Sequence, residues 1–252
     1  MKVLIVSHAY VEESNRKKIE LLARRPGIEF GVIYPRQWRT WHGEDKRHLT
    51  VDNLPRSPRV EAGQSRDEAD GQLTYKEYFL DTFFSGDGGR YFYNPLQLII
   101  AIIKFRPDFI HVEEEPFSVV SFQVSVIGGF LKKKLTFFTW ENIVELKLGW
   151  LRTFFEKSVF RLSVVAVVGT KGAKDRLEKR GFSRRIEVIP QFGVDTKVFF
   201  KKETPLEQRS LLDKKEVVIG FVGRPTLNKG IDVLLEALSK LPEKYQFLWV
   251  TS

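Results

Sequence analysis

Short apolar runs alternate with stretches of helical periodicity almost from one end of this chain to the other, and that alternation most limits what it can fold into. An apolar run followed by an amphipathic helix is the pattern of βαβ units, which build a parallel sheet covered by helices on both faces. Strands are predicted at 2–7, 29–34, 109–112, 135–139, 164–168 and 186–189, with helices near 13–25, 95–105, 117–132, 150–162 and 171–180. Pro26-Gly27 stops the first helix and Gly181 caps the last, since proline cannot continue a helix and glycine tolerates the left-handed conformation that closes one.

The rhythm breaks twice. Between Arg36 and Gly89, Trp38 and Trp41 lead into a charged, Gly- and Pro-containing stretch, read as a long insertion loop with an irregular strand around 73–84. Such a loop is either a surface excursion or a binding element. After Gly193 the pattern turns polar, and 201–215 reads as a linker. The expected organisation is an α/β, Rossmann-like domain over 1–200, a linker over 201–215, and over 216–252 the first βαβ unit of a second, truncated domain. In that unit Ile231, Leu234, Leu235 and Leu238 form an i, i+3, i+4, i+7 stripe. Two strands are too narrow to cover it, so self-association through this unit is an expected consequence.

Composition decides between classes of partner only in part. With 42% hydrophobic residues the chain can bury a core, and 41 Lys+Arg against 32 Asp+Glu gives a net charge of +9. That excess suits nucleic acid, an anionic membrane or phosphorylated small molecules. No nucleic-acid-binding motif or interleaving of basic and aromatic residues is present, so no nucleic-acid partner is expected. The clusters at 16–18, 24–25, 132–134 and 201–202 fall at helix ends or in the linker and are read as solvated. Lys132, Lys133 and Lys134, with the aromatic Tyr91-Phe92-Tyr93, also fit peripheral contact with a membrane. The chain has no cysteine, which matches a reducing cytoplasm. Met1-Lys2 runs straight into a strand, and the longest apolar run, 95–105, is shorter than the about 20 residues that span a bilayer. The expectation is a cytoplasmic protein, with the inner membrane face as the peripheral option.

The turn after the first strand reads Ser7-His8-Ala9-Tyr10-Val11-Glu12 and lacks the glycines of a dinucleotide-binding G-x-G-x-x-G; no G-x-x-x-x-G-K-[ST] loop occurs either. A phosphate-like corner lies instead at Gly220-Phe221-Val222-Gly223-Arg224 and Lys229-Gly230, where an apolar strand meets an amphipathic helix. Backbone N–H groups at a helix start and two fixed cations suit a phosphate.

This corner resembles the G-R…K-G segment that opens the C-terminal domain of the retaining glycosyltransferases of family 4, which have the two-domain GT-B architecture. Two further stretches are similar to family segments in the same order: Asp108–Ser118, DFIHVEEEPFS, and Ile186–Phe199, IEVIPQFGVDTKVF. The turn and helix at 169–181 resemble the family as well, and the likeness runs from about Asp108 to Val250.

The resemblance implies transfer of a sugar from a nucleotide-sugar to a saccharide or lipid-linked acceptor with retained anomeric configuration. Arg224 and Lys229, with Gly223, would hold the donor diphosphate, and no metal or other cofactor is expected because fixed cations can stabilise the leaving charge. Glu113, Glu114, Glu115 and His8 are candidate acceptor contacts at strand ends, the three glutamates being equally readable as a helix N-cap region before Pro116. His111, inside a strand, is read as a core residue. Where many family members carry a histidine, this chain has Phe138-Thr139-Trp140-Glu141-Asn142, so Glu141 or Asn142 would take that place. The 252-residue chain ends before the position of the family's E-x7-E pair, so it is expected to transfer little sugar. The alternative from another class is a non-catalytic module that binds a saccharide or pairs with another subunit. No catalytic residue is identified from the sequence.

Overall fold

The structure, a computed structural model, describes residues 1–39, 48–50, 61–66, 73–191, 193–194, 196–197, 199–200, 217–223, 225–242 and 245–250. It divides into two compact units, Met1–Gly193 and Val194–Ser252.

The first unit is built on an eight-stranded sheet of β1 (Lys2–Val6), β2 (Glu29–Pro35), β3 (Glu61–Arg66), β4 (Leu73–Leu80), β5 (Phe109–Val112), β6 (Lys134–Thr139), β7 (Ser163–Val168) and β8 (Arg185–Val188), in the order β8-β7-β6-β5-β1-β2-β4-β3. Seven strands are parallel, and β3 pairs antiparallel with β4 at the edge. The helices are α1 (Glu13–Ala23), α2 (Pro95–Phe105), α3 (Val119–Phe130), α4 (Trp150–Leu162) and α5 (Lys171–Lys179). Leu4, Ile5 and Val6 of β1, Ile110 and Val112 of β5 and Leu135 and Phe137 of β6 are buried, which is why these strands read as continuous apolar runs.

Helix starts follow their caps. Asn94 accepts from the N–H groups of Leu96 and Gln97 ahead of Pro95, Ser118 caps α3 through the N–H of Ser121, and Thr170 caps α5 through that of Ala173. Gly128 lets α3 lie close on the sheet, since a Cβ there would stand 2.9 Å from Leu135 Cδ2.

One strand departs from the sequence reading. The segment expected to be irregular holds β4, a regular neighbour of β2 with Gly31 opposite Lys76 and Pro35 opposite Leu80. Lys76 and Glu77 interrupt its apolar pattern, and both find partners. Lys76 reaches Glu29 at 2.9 Å, and the buried Glu77 accepts from Tyr34 Oη at 2.8 Å. Trp41 and the charged stretch from 51 to 60 lie outside the described residues.

The second unit holds one parallel βαβ arrangement: β9 (Val217–Val222), α6 (Ile231–Ser239) and β10 (Tyr245–Val250). Of the α6 stripe, Ile231 is buried, Leu234 and Leu238 are half-buried and Leu235 is exposed. The expected linker, 201–215, lies outside the described residues.

Candidate functional site

From β1 the chain winds outward through β2 to β4, then crosses back to β5 on the other flank of β1 and continues through β6, β7 and β8. The direction of winding therefore reverses between β1 and β5. In open parallel sheets the crevice beyond the strand carboxyl ends at such a reversal is where ligands sit.

That crevice is formed by Ser7–Val11 after β1 and Glu113–Glu115 after β5. Ser7 Oγ accepts from the N–H of Ala9 and starts a short 3-10 turn, His8–Val11. Tyr10 is fully buried, and His8 is held partly exposed.

The three glutamates follow the last strand residue, so strand alternation no longer governs them, and each joins a different network. Glu114 Oε1 accepts from Ser7 Oγ at 3.1 Å, His8 N at 2.7 Å and Tyr91 Oη at 2.8 Å, and lies 2.6 Å from His8 Nδ1. Glu113 pairs with Lys18, accepts from Tyr10 Oη at 2.5 Å and Gln191 Nε2 at 2.9 Å, and lies 3.5 Å from His111 Nε2. Glu115 accepts from the Thr139 hydroxyl and from Trp140 N at 3.0 Å. The cap of α3 is Ser118, which leaves the glutamates free of a first-turn role.

These surroundings separate the acids electrostatically. Burial works against the Glu113 charge, but hydrogen bonding and charge from His111 and Lys18 overcome it and hold its carboxyl well below the usual range. Burial dominates at Glu115, with the charge of Glu141 adding to it against Thr139, Trp140 and Arg176, so its pKa is pushed up to about 7. Burial lowers the His8 pKa, yet the charge and hydrogen bond of Glu114 outweigh it and leave His8 raised above 6.5.

With Nδ1 against Glu114, the neutral imidazole carries its proton on Nδ1 and its lone pair on Nε2. Nε2 has no hydrogen-bond partner among the described residues. Trp38 stacks on His8 at 4.5 Å between ring centroids, and Tyr91 meets both rings edge-on. A base held by a carboxylate and clamped by aromatic rings is suited to taking a proton from a hydroxyl that enters the crevice.

The structure thus brings His8 and Glu114 together, while Glu113 joins Lys18, Tyr10, His111 and Gln191, and Glu115 meets Thr139 and Trp140. Glu141 accepts from Ile143 N at 2.9 Å and lies near enough to Glu115 to act on its charge, whereas the Asn142 side chain is exposed. In the second unit Gly223 has φ +146°, a value that favours glycine, and Lys229 is exposed at the end of a 3-10 turn, Leu227–Lys229. Arg224 lies outside the described residues. Among the described residues no group of three or more His, Asp or Glu side chains is placed to hold a metal ion.

The sequence reading missed Tyr91, Lys18, Trp140 and Gln191. Lys18 belongs to a cluster read as solvated, yet its ammonium binds a buried carboxylate. His111, read as a core residue, bonds Thr136 Oγ1 through Nδ1 at 2.8 Å and faces Glu113 through Nε2. Trp140 lies over Gly169, where a Cβ would stand 2.1 Å from the indole ring, and donates from Nε1 to Gln191 at 2.7 Å.

Comparison with known proteins places the fold. No protein-family model matches the chain, and no curated protein matches it either. Among solved structures, the Anabaena protein HepE in complex with UDP aligns over 100% of this chain and 62% of its own, with a TM-score of 0.57 and 12% identity. The HepE complex with UDP-glucose aligns over 99% of this chain and 60% of its own, with a TM-score of 0.55 and 12% identity. MnaA of S. aureus with UDP covers 100% of this chain and 62% of its own at a TM-score of 0.53 and 10% identity. The chain has the mixed α/β fold of GT-B-like Rossmann domains, with a seven-strand parallel sheet flanked by helices. It spans about three-fifths of the length of these structures.

Proposed function

We infer that this chain belongs to a glycosyltransferase that moves a sugar from a nucleotide-sugar to a hydroxyl acceptor bound in the crevice between β1 and β5. The observation that carries the reading is the His8–Glu114 pair at 2.6 Å, with Nε2 of His8 unbonded among the described residues, at the winding reversal of the sheet. The acceptor O–H gives its proton to Nε2 as its oxygen bonds to the anomeric carbon. The bond from that carbon to the phosphate oxygen breaks, and the electron pair leaves with the diphosphate. Glu114 holds the imidazole tautomer and stabilises the imidazolium, while the buried Glu113, bonded through both oxygens, fixes Lys18, Tyr10 and Gln191 beside the crevice. Arg224 and Lys229, beside Gly223, would hold the diphosphate; Arg grips two oxygens and Lys acts as a point charge.

A base acting on the acceptor fits a single displacement, which inverts the anomeric centre. The family 4 resemblance of the segments at 108–118 and 186–199 favours the other outcome, retention, with His8 and the glutamates serving to bind a saccharide or lipid-linked acceptor. Transfer of a labelled sugar, followed by NMR assignment of the product's anomeric configuration, decides between them. With the chain joined to a complete donor domain, replacing His8 with Ala is expected to abolish most transfer with donor affinity unchanged, and Lys229→Ala to weaken UDP binding. Wild-type turnover in the His8→Ala protein would defeat the base assignment.

A further inference from the structure

The edge of the sheet opposite the site, where the strands begin and α2 and α3 end, has its own chemistry. A cleft of about 330 Å³ there is lined by Met1, Asp108, Phe109, Lys132, Lys133 and Lys134. A second hollow of about 250 Å³ shares Lys133 and adds Ile102, Ile103, Arg106 and Leu131. Among the described residues Asp108 is the one acid lining either hollow, and its carboxylate accepts from the N–H of Lys2 at 2.7 Å. Against it stand Arg106 and three lysines.

Two observations separate this edge from ordinary helix ends. The residues just past α2 and α3, Arg106 and Lys132, both hold φ at +55°, the left-handed conformation that glycine usually supplies at a helix end. Backbone strain is accepted at two neighbouring positions, and each carries a cation into the same surface. The second observation is apolar: Phe130, the last residue of α3, is 88% exposed, and Ile103 and Met1 beside these hollows are 54% and 55% exposed. A helix dipole explains a cation at a helix carboxyl end but not a bare phenylalanine next to it.

We propose that this edge docks the protein on an anionic lipid bilayer, with headgroup phosphates at Arg106, Lys132, Lys133 and Lys134 and with Phe130 and Ile103 entering the boundary of the acyl chains. A nucleic acid would use the cations and leave the apolar side chains in water. A bilayer uses both, as interfacial protein surfaces do. The Glu114 crevice lies at the opposite edge, so docking turns it away from the lipid and toward an acceptor group that stands clear of the headgroups.

The test is sedimentation of the protein with vesicles of phosphatidylcholine carrying about 30% phosphatidylglycerol, against vesicles of phosphatidylcholine alone. Binding is expected to the anionic vesicles. It should fall about 25-fold or more in the Lys132→Glu, Lys133→Glu double variant, and about tenfold in Phe130→Ser. A Lys147→Glu, Lys171→Glu variant makes the same change in net charge with exposed residues that precede α4 and open α5, at the other edge, and is expected to bind like wild type. Circular dichroism and thermal melting report whether each variant is folded. Equal loss in both charge variants, Phe130→Ser binding as wild type does, or absence of binding to anionic vesicles would each overturn the proposal. So would duplex DNA binding that depends on the same lysines and displaces the vesicles without any contribution from Phe130. Vesicle binding needs no sugar donor and stands or falls apart from the transfer reaction.

Discussion

Glu156 and Glu114 are both buried carboxylates held by several donors, and they differ in what is left open. Glu156 of α4 is fully enclosed: Arg176 of α5 meets one oxygen at 2.8 Å and Arg180 meets the other at 2.7 Å through Nε and at 2.5 Å through Nη2. The Arg176 guanidinium also lies 5.7 Å from the Phe117 ring centroid, while its Nε and Nη1 have no hydrogen-bond partner among the described residues. Glu114 gathers its four contacts on Oε1, and no described residue bonds Oε2 or the far nitrogen of its His8 partner. The first charge is matched on both oxygens and joins two helices. The second is oriented, and no described residue bonds Nε2 of its histidine partner.

The sharpest way to break this comparison is to remove one member of each cluster and read both activity and stability. His8→Ala is expected to lower sugar transfer by about 10²–10⁴-fold, the range for a lost general base, with little change in the urea midpoint. Glu156→Ala should do the reverse. It leaves Arg176 buried without its counter-charge and is expected to cost about 3–5 kcal/mol in urea unfolding, with turnover by the remaining folded protein unchanged. Should Glu156→Ala abolish turnover in folded protein while His8→Ala spares it, the two clusters have exchanged roles.

A smaller effect tests the orientation. Because Glu114 raises the His8 pKa, transfer that needs neutral imidazole should rise with pH through a midpoint above 6.5. Glu114→Gln should move that midpoint downward, and the NMR titration of the His8 ring should follow it. An unmoved titration would mean that the 2.6 Å contact does not govern His8.

The smallest effect is at Glu115, whose pKa in the fold is raised from 4.5 to about 7. Its sign follows from the direction: a group with a raised folded pKa favours folding below its unfolded pKa, and that contribution is lost as pH rises through the folded value. Stability should therefore decline between the ordinary glutamate range and about pH 7. Glu115→Gln, which mimics the protonated carboxyl toward Thr139, should flatten that decline in urea titrations at the two ends of the window. An unchanged slope would move the origin of the decline elsewhere.

Much of the first unit was legible because its signals are local. Pro26-Gly27 and Gly181 mark helix ends, and the apolar runs of β1, β5 and β6 mark buried parallel strands. The strand β4 was not legible, since Lys76 and Glu77 break its period and only their partners on β2, Glu29 and Tyr34, make them tolerable there. The site was half legible. Glu113, Glu114, Glu115 and His8 could be named as strand-end residues, but nothing local shows that His8 and Glu114, 106 positions apart, share a hydrogen bond. Lys18 looked like a solvated helix cation for the same reason: its partner, Glu113, is 95 residues away.

The amino-acid order by itself determined the alternation of strands and helices and the parallel character of the sheet, because burial on both faces and helical periodicity are written into neighbouring residues. Only the tertiary structure decided which strand ends meet at the winding reversal and how three consecutive glutamates acquire different environments. A carboxylate's acidity depends on what surrounds it in space, and for Glu113, Glu114 and Glu115 those surroundings come from distant loops.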